Sequence, residues 1–184
     1  MQNKNDIKGD IKMVENRKKL LEQIGITKSV KKLAGYEWNE ISENKILSEE
    51  FIREFQTHLN WSAICQYQQL SEDFIREFKE NVYWYSIFKN QKLSKKFIYE
   101  FQPKVNWFAI SCSQHITDDF LIEFQDNIYW ESYFVQHKAS FNIIKKFILK
   151  SYFLKLDDLD VSHLTIVLKK KIKKMFKLKY MFTK

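Results

Sequence analysis

Glycine and proline are almost missing from this chain: three glycines and one proline in 184 residues. Turn-rich β folds and disordered linkers draw on both, so neither is expected. Of cysteines there are two, Cys65 and Cys112, which form no CxxC pair. They are expected to be reduced packing residues of an intracellular protein, not a disulfide or metal site. No segment reaches the roughly 18 uncharged apolar residues of a membrane span. The polar start from Met1 to Asp10 lacks an apolar run before a small-residue cleavage site, so no secretory signal is expected and the cytoplasm is the expected compartment. His58, His115, His137 and His163 fall in no metal-ligand spacing. Cys112 and His115 stand three apart but without an orienting third group. With Gly9, Gly25 and Gly35 alone, no phosphate-cradling loop exists. These absences point away from an enzyme, and no cofactor or metal is expected.

The net charge of +8 has one source. Residues 169–184 hold eight lysines and no acid, which leaves residues 1–168 with 23 basic and 23 acidic groups. The basic character belongs to a tail, and a neutral body with a basic end excludes a simple mimic of DNA.

What is abundant is aromatic, and it is periodic. The five tryptophans, Trp38, Trp61, Trp84, Trp107 and Trp130, lie 23 residues apart. A period of this length marks stacked supersecondary units, each too small to bury its own apolar face. Each copy opens with an apolar residue and a hydroxyl: Leu47-Ser48, Leu70-Ser71, Leu93-Ser94, Ile116-Thr117. The hydroxyl is an N-cap, and Ile52, Ile75, Ile98 and Leu121 stand where a hydrophobic staple would sit. Phe51, Ile52 and Phe55, repeated in register, make one helical stripe. Pro103 stops the first helix after two to three turns. Leu59, Val82, Val105 and Ile128 fill the corner, and a second helix begins at each tryptophan, capped by Asn60 and Asn106 but not by Tyr83 or Tyr129. The tryptophans are expected in the core.

The expected fold is all-α, a short α/α tandem-repeat solenoid with N- and C-terminal capping helices, in a single domain over 1–184. It comprises an N-terminal helix (1–23) stopped by Gly25, a degenerate repeat (24–46) capped by Thr27, and four 23-residue repeats (47–138). A partial repeat (139–155) and a basic C-terminal helix (156–184) follow, the latter introduced by the Asp157-Asp158-Leu159-Asp160 turn.

The unit Leu70-Ser-Glu-Asp-Phe-Ile-Arg-Glu-Phe-Lys-Glu-Asn-Val-Tyr-Trp84 and its copies resemble short helical repeats of bacteriophage and giant-virus proteins, over residues 24–153. The resemblance implies a viral or mobile-element origin, hence a host-cell cytoplasm, and a helical stack. It carries no catalytic residues.

Function is then expected on the surface. The carboxylate column Glu54, Glu77, Glu100 and Glu123 is a solvated face answered by Arg53, Arg76 and Lys79. Columns that vary between copies place Tyr85, Phe88, Tyr99, Phe108 and Phe134 as candidate protein-contact residues; for Phe88 and Phe134 the other reading is filler between neighbouring repeats. In the C-terminal helix Leu164, Leu168, Ile172, Met175, Phe176 and Phe182 recur at helical spacing. Lys169, Lys170, Lys171, Lys173, Lys174, Lys177 and Lys179 are candidate contacts to nucleic acid or nucleoprotein. That helix has three readings: a cap on the stack, a phosphate contact, or an amphipathic helix on an anionic membrane. The functional expectation is a non-enzymatic binding protein that inhibits or regulates a host nucleic-acid-handling protein or nucleoprotein, with a CRISPR effector as one concrete candidate. Direct RNA or DNA binding through the lysines, and a membrane-surface adaptor, are the alternatives.

Overall fold

A computed structural model describes the backbone of residues 4–114, 116–148, 162 and 166–182, and the side chains of 11–114, 116–148, 162, 166 and 169–177. Among the described residues the chain is all-helical, with twelve α-helices and no strand. Backbone contacts divide it into two compact units, Met1–Asn90 and Gln91–Lys184.

The N-terminal unit begins with α1 (Lys4–Gln23). Gly25 ends it at φ 79°, the left-handed position that glycine tolerates, while the Ile26 N–H returns to the Leu21 carbonyl at 2.9 Å. The degenerate first helix contracts to one 3-10 turn, Val30–Lys32, preceded by Ser29 and not by the expected Thr27. The Ser29 side chain makes no cap hydrogen bond to it. Then come α2 (Gly35–Asn44), α3 (Glu49–Phe55), α4 (Trp61–Tyr67), α5 (Glu72–Glu77) and α6 (Trp84–Asn90). Helix α4 packs against both α2 and α6, so the second helices stand in a row.

The C-terminal unit repeats the pattern with α7 (Lys95–Glu100), α8 (Trp107–Ser113), α9 (Asp118–Glu123), α10 (Trp130–Gln136) and α11 (Phe141–Phe147), then α12 (Ile166–Phe182). Helix α10 packs on α8, and α12 on α11. Pro103 sits in a 3-10 turn, Gln102–Lys104, directly after α7. The Asp157–Asp160 turn lies outside the described residues.

The capping expectation holds. Ser48, Ser71, Ser94, Thr117 and Ser140 accept from the backbone N–H groups of Phe51, Phe74, Phe97, Phe120 and Ile143 at 3.1–3.3 Å. Asn60 and Asn106 cap α4 and α8. Each closes the start of a helix only six or seven residues long, which would not form alone.

The tryptophans need a correction. Trp38 and Trp130 are buried, but Trp61, Trp84 and Trp107 are half-buried. Trp61, Trp107 and Trp130 each lean on a phenylalanine of the following repeat: Trp61 on Phe78 at 5.1 Å, Trp107 on Phe124 at 4.9 Å, Trp130 stacked on Phe147 at 4.2 Å. The indole N–H of Trp61 and of Trp130 donates to the carbonyl five residues earlier, Gln56 and Gln125. One ring face packs between repeats while the edge ties down its own corner. The deepest core is the phenylalanine–isoleucine stripe, with Phe51, Ile52, Phe74, Ile75, Phe97, Ile98, Phe120 and Leu121 all buried.

A second ladder is polar. Gln68 is buried, accepts from the Leu47 N–H at 2.9 Å, and donates to the carbonyls of Ser42 at 3.1 Å and Lys45 at 2.8 Å. Two periods on, Gln114 donates to the Gln91 carbonyl at 2.7 Å, and one further on His137 donates from Nε2 to the Ser111 carbonyl at 3.0 Å. Side chains at this column stitch the end of one second helix to the end of the previous one.

Candidate interaction surfaces

The varied columns separate once burial is known. Phe88 and Phe134 are 0% exposed, so they are withdrawn as protein-contact residues: both rings are enclosed beside Trp84 and Trp130. Tyr85, Tyr99 and Phe108 are exposed. Tyr99 is partly engaged, its ring 5.1 Å from Phe124 and under the Lys95 ammonium, which also pairs with Glu123 at 2.7 Å. Tyr85 lies under Lys89.

Phe108 has a partner that sequence reasoning missed. Tyr129, 53% exposed, meets it edge-to-face at 5.6 Å and 88°. The two rings line a groove of about 570 Å³ between the corners that precede α8 and α10, with Asp126 and Glu131 as its charged lining. Tyrosine replaces asparagine in the capping column at 83 and 129, and that departure was the available signal.

Helix α12 resolves its own amphipathicity. Ile172 and Phe176 are buried and Met175 is half-buried, with α11 packed alongside. Lys170, Lys171, Lys173, Lys174 and Lys177 are exposed, and Lys169 is half-buried, its Nζ 3.4 Å from the Ser162 carbonyl. Lys171 also sits over the Phe141 ring of α11 at 6.0 Å. No acid occurs in this helix. The side chains of Lys179, Leu164, Leu168 and Phe182 lie outside the described residues.

The glutamate column forms cross-repeat pairs. Glu54 meets Arg17 of α1, Glu77 meets Arg53 at 2.8 Å, and Glu123 meets Lys95. Arg76 also pairs with Asp73 and Glu72 of its own helix. Burial pushes the Cys65 thiol up from its ordinary value, and the Tyr83 N–H that donates to its sulfur only partly opposes this. A thiol so held is a packing group and a hydrogen-bond acceptor. His115 lies outside the described residues. Among the described residues no group of three or more His, Cys, Asp or Glu is placed to hold a metal ion, and no helix is long and apolar enough to cross a membrane.

No protein-family model, no curated protein and no solved structure matches this chain.

Proposed function

We propose that the chain is a non-enzymatic helical-repeat binding protein that docks on a nucleic-acid-handling protein or nucleoprotein and regulates it by occupying a surface. The carrying observation is the division of labour on α12: its apolar residues Ile172 and Phe176 are buried, while five lysines face outward without an acid among them. A helix lying in a lipid headgroup layer inserts its apolar stripe. Here Ile172 and Phe176 of that stripe are already used inside the protein, which favours phosphate over lipid as the lysines' counterpart. The Phe108–Tyr129 groove gives the same unit an aromatic contact surface for protein. The resemblance to phage and giant-virus repeats supports an inhibitor of a host system, and a guide-loaded CRISPR effector is one target of that class.

The test compares binding to such an effector, to the same protein without RNA, and to a bare duplex, with cleavage by the effector as the activity readout. The expected result is nucleoprotein binding that inhibits cleavage and weakens at least tenfold when Lys170, Lys171, Lys173, Lys174 and Lys177 are all changed to Gln. If all five lysines meet phosphates of a duplex, the log–log salt slope is about −4.5. Binding to bare duplex as tight as to nucleoprotein would favour the direct nucleic-acid reading. Binding indifferent to the lysine changes would remove α12 from the site.

A further inference from the structure

An outer helix of a stack is expected to be polar on the face that no neighbour covers. Helix α1 breaks that rule. Ile11 is 54% exposed and Val14 63%, with Met13 exposed beside them. Ile11, Val14 and Leu21 follow steps of three and seven, so they share one stripe, which runs about 15 Å along the helix. At its inner end the stripe enters a groove of about 480 Å³ between α1 and the segment leading through the 3-10 turn. Val14, Leu21, Ile26 and Val30 form its apolar lining. The charged lining is wholly basic: Arg17, Lys18, Lys28 and Lys31.

Two occupants compete for an apolar track with a basic rim. A second copy of this chain, bound face to face, would set each basic rim against its own equivalent, because a two-fold contact brings the same patch together. Like charges at that range are repulsive and select against the pairing. An amphipathic helix whose apolar stripe is flanked by aspartate or glutamate meets both parts of the surface at once, apolar on apolar and acid on base. Arg17 and Lys28 already hold Glu54 and Glu37, so the new ion pairs fall to Lys31 and Lys18. Lys18 pairs with Glu22 at 3.7 Å on an exposed face, a contact readily exchanged.

We infer that the α1 groove is a docking site for an acidic amphipathic helix of a partner protein. It stands independently of the α12 reading, using the other compact unit and an acidic peptide in place of phosphate as ligand. The probe is an acetylated, amidated leucine-striped peptide of about 18 residues, some 27 Å as a helix, with glutamate along both flanks; its twin carries lysine in place of glutamate. Fluorescence anisotropy with the full chain should show binding of the glutamate peptide and at least tenfold weaker binding of the twin. Val14→Asp should weaken the glutamate peptide at least tenfold with an unchanged circular dichroism spectrum, as should Lys18→Glu with Lys31→Glu. Should Val14→Asp perturb the fold, Val14→Ser serves in its place. Equal binding of both peptides, binding of neither, or insensitivity to these changes would overturn the inference. Self-association of the free chain that Val14→Asp abolishes would overturn it in favour of a second copy.

Discussion

Gln68→Ala is the sharpest test of how the repeats are held together. The side-chain amide satisfies one buried donor and two acceptors: the Leu47 N–H at 2.9 Å and the carbonyls of Ser42 and Lys45 at 3.1 and 2.8 Å. Gln68 is only 4% exposed, so alanine leaves these groups with little access to water. A buried group deprived of its partner costs about 1–3 kcal/mol. The N–H carries the full penalty and the carbonyls, with a second lone pair each, carry less, which places the total near 3 kcal/mol, or roughly 100-fold in an opening equilibrium. Amide hydrogen exchange at Leu47 reads that factor directly, and urea unfolding followed by circular dichroism reads the free energy. Gln56→Ala is the control, since its amide donates to the Arg53 carbonyl at an exposed position and its loss should stay within about 0.5 kcal/mol. Gln68→Leu keeps the volume and separates packing from hydrogen bonding. A loss below about 1 kcal/mol in Gln68→Ala, equal loss in Gln56→Ala, or full recovery in Gln68→Leu would refute the reasoning.

Two further outcomes are expected. Ser94→Ala removes the hydroxyl that accepts from Phe97 N–H at 3.1 Å and should cost about 1 kcal/mol in urea unfolding, whereas Ser94→Asp, which keeps an acceptor there, should cost a few tenths. Burial, with the Asp118 carboxylate behind it, pushes the Tyr133 phenol up to about 12 from its ordinary 10.0. The folded chain therefore holds that proton more tightly than the unfolded chain, so its contribution is complete below pH 10 and lost as pH climbs through 12. The urea midpoint should fall across that window, and fall less in Tyr133→Phe.

The element order was legible because its signals are local. A hydroxyl before an acidic or basic turn, a proline at 103 and an aromatic stripe at steps of three and four act within one helix, and each stands where it was expected. What periodicity cannot reveal is how far the next repeat covers a given face. Phe88, Phe134 and Phe108 look alike as residues in variable columns, yet two are enclosed and one is open. Trp61 and Trp107 recur as regularly as Trp130, yet each leaves part of its indole uncovered. The glutamine column was invisible for a related reason: a buried amide bonded to backbone 21–26 residues away looks in sequence like any surface glutamine. For α1, amphipathicity located a buried stripe but gave no sign that Ile11 and Val14 extend beyond its cover.

One interior column shows why such a scaffold can vary its surface. Ser42, Cys65 and Ser111 each accept the backbone N–H eighteen residues on, from Asn60 at 3.0 Å, Tyr83 at 3.3 Å and Tyr129 at 3.0 Å. The same column holds Phe88 and Phe134, fully enclosed and carrying no acceptor at all. The position thus accepts either a small acceptor that ties one repeat to the next or a large ring that fills the space, because the fold constrains volume and backbone satisfaction there and not residue identity. Three residues earlier, the column Ser62, Tyr85, Phe108 and Glu131 is exposed in three copies and half-buried in the fourth, and it passes from hydroxyl to phenol to phenyl to carboxylate. Interior bonds aimed at backbone leave that outer column free to change chemistry. In the C-terminal unit it has done so twice, placing Phe108 and Glu131 on one groove with Tyr129. A surface of this kind varies by substitution on a fixed frame, as the proposed binding function requires.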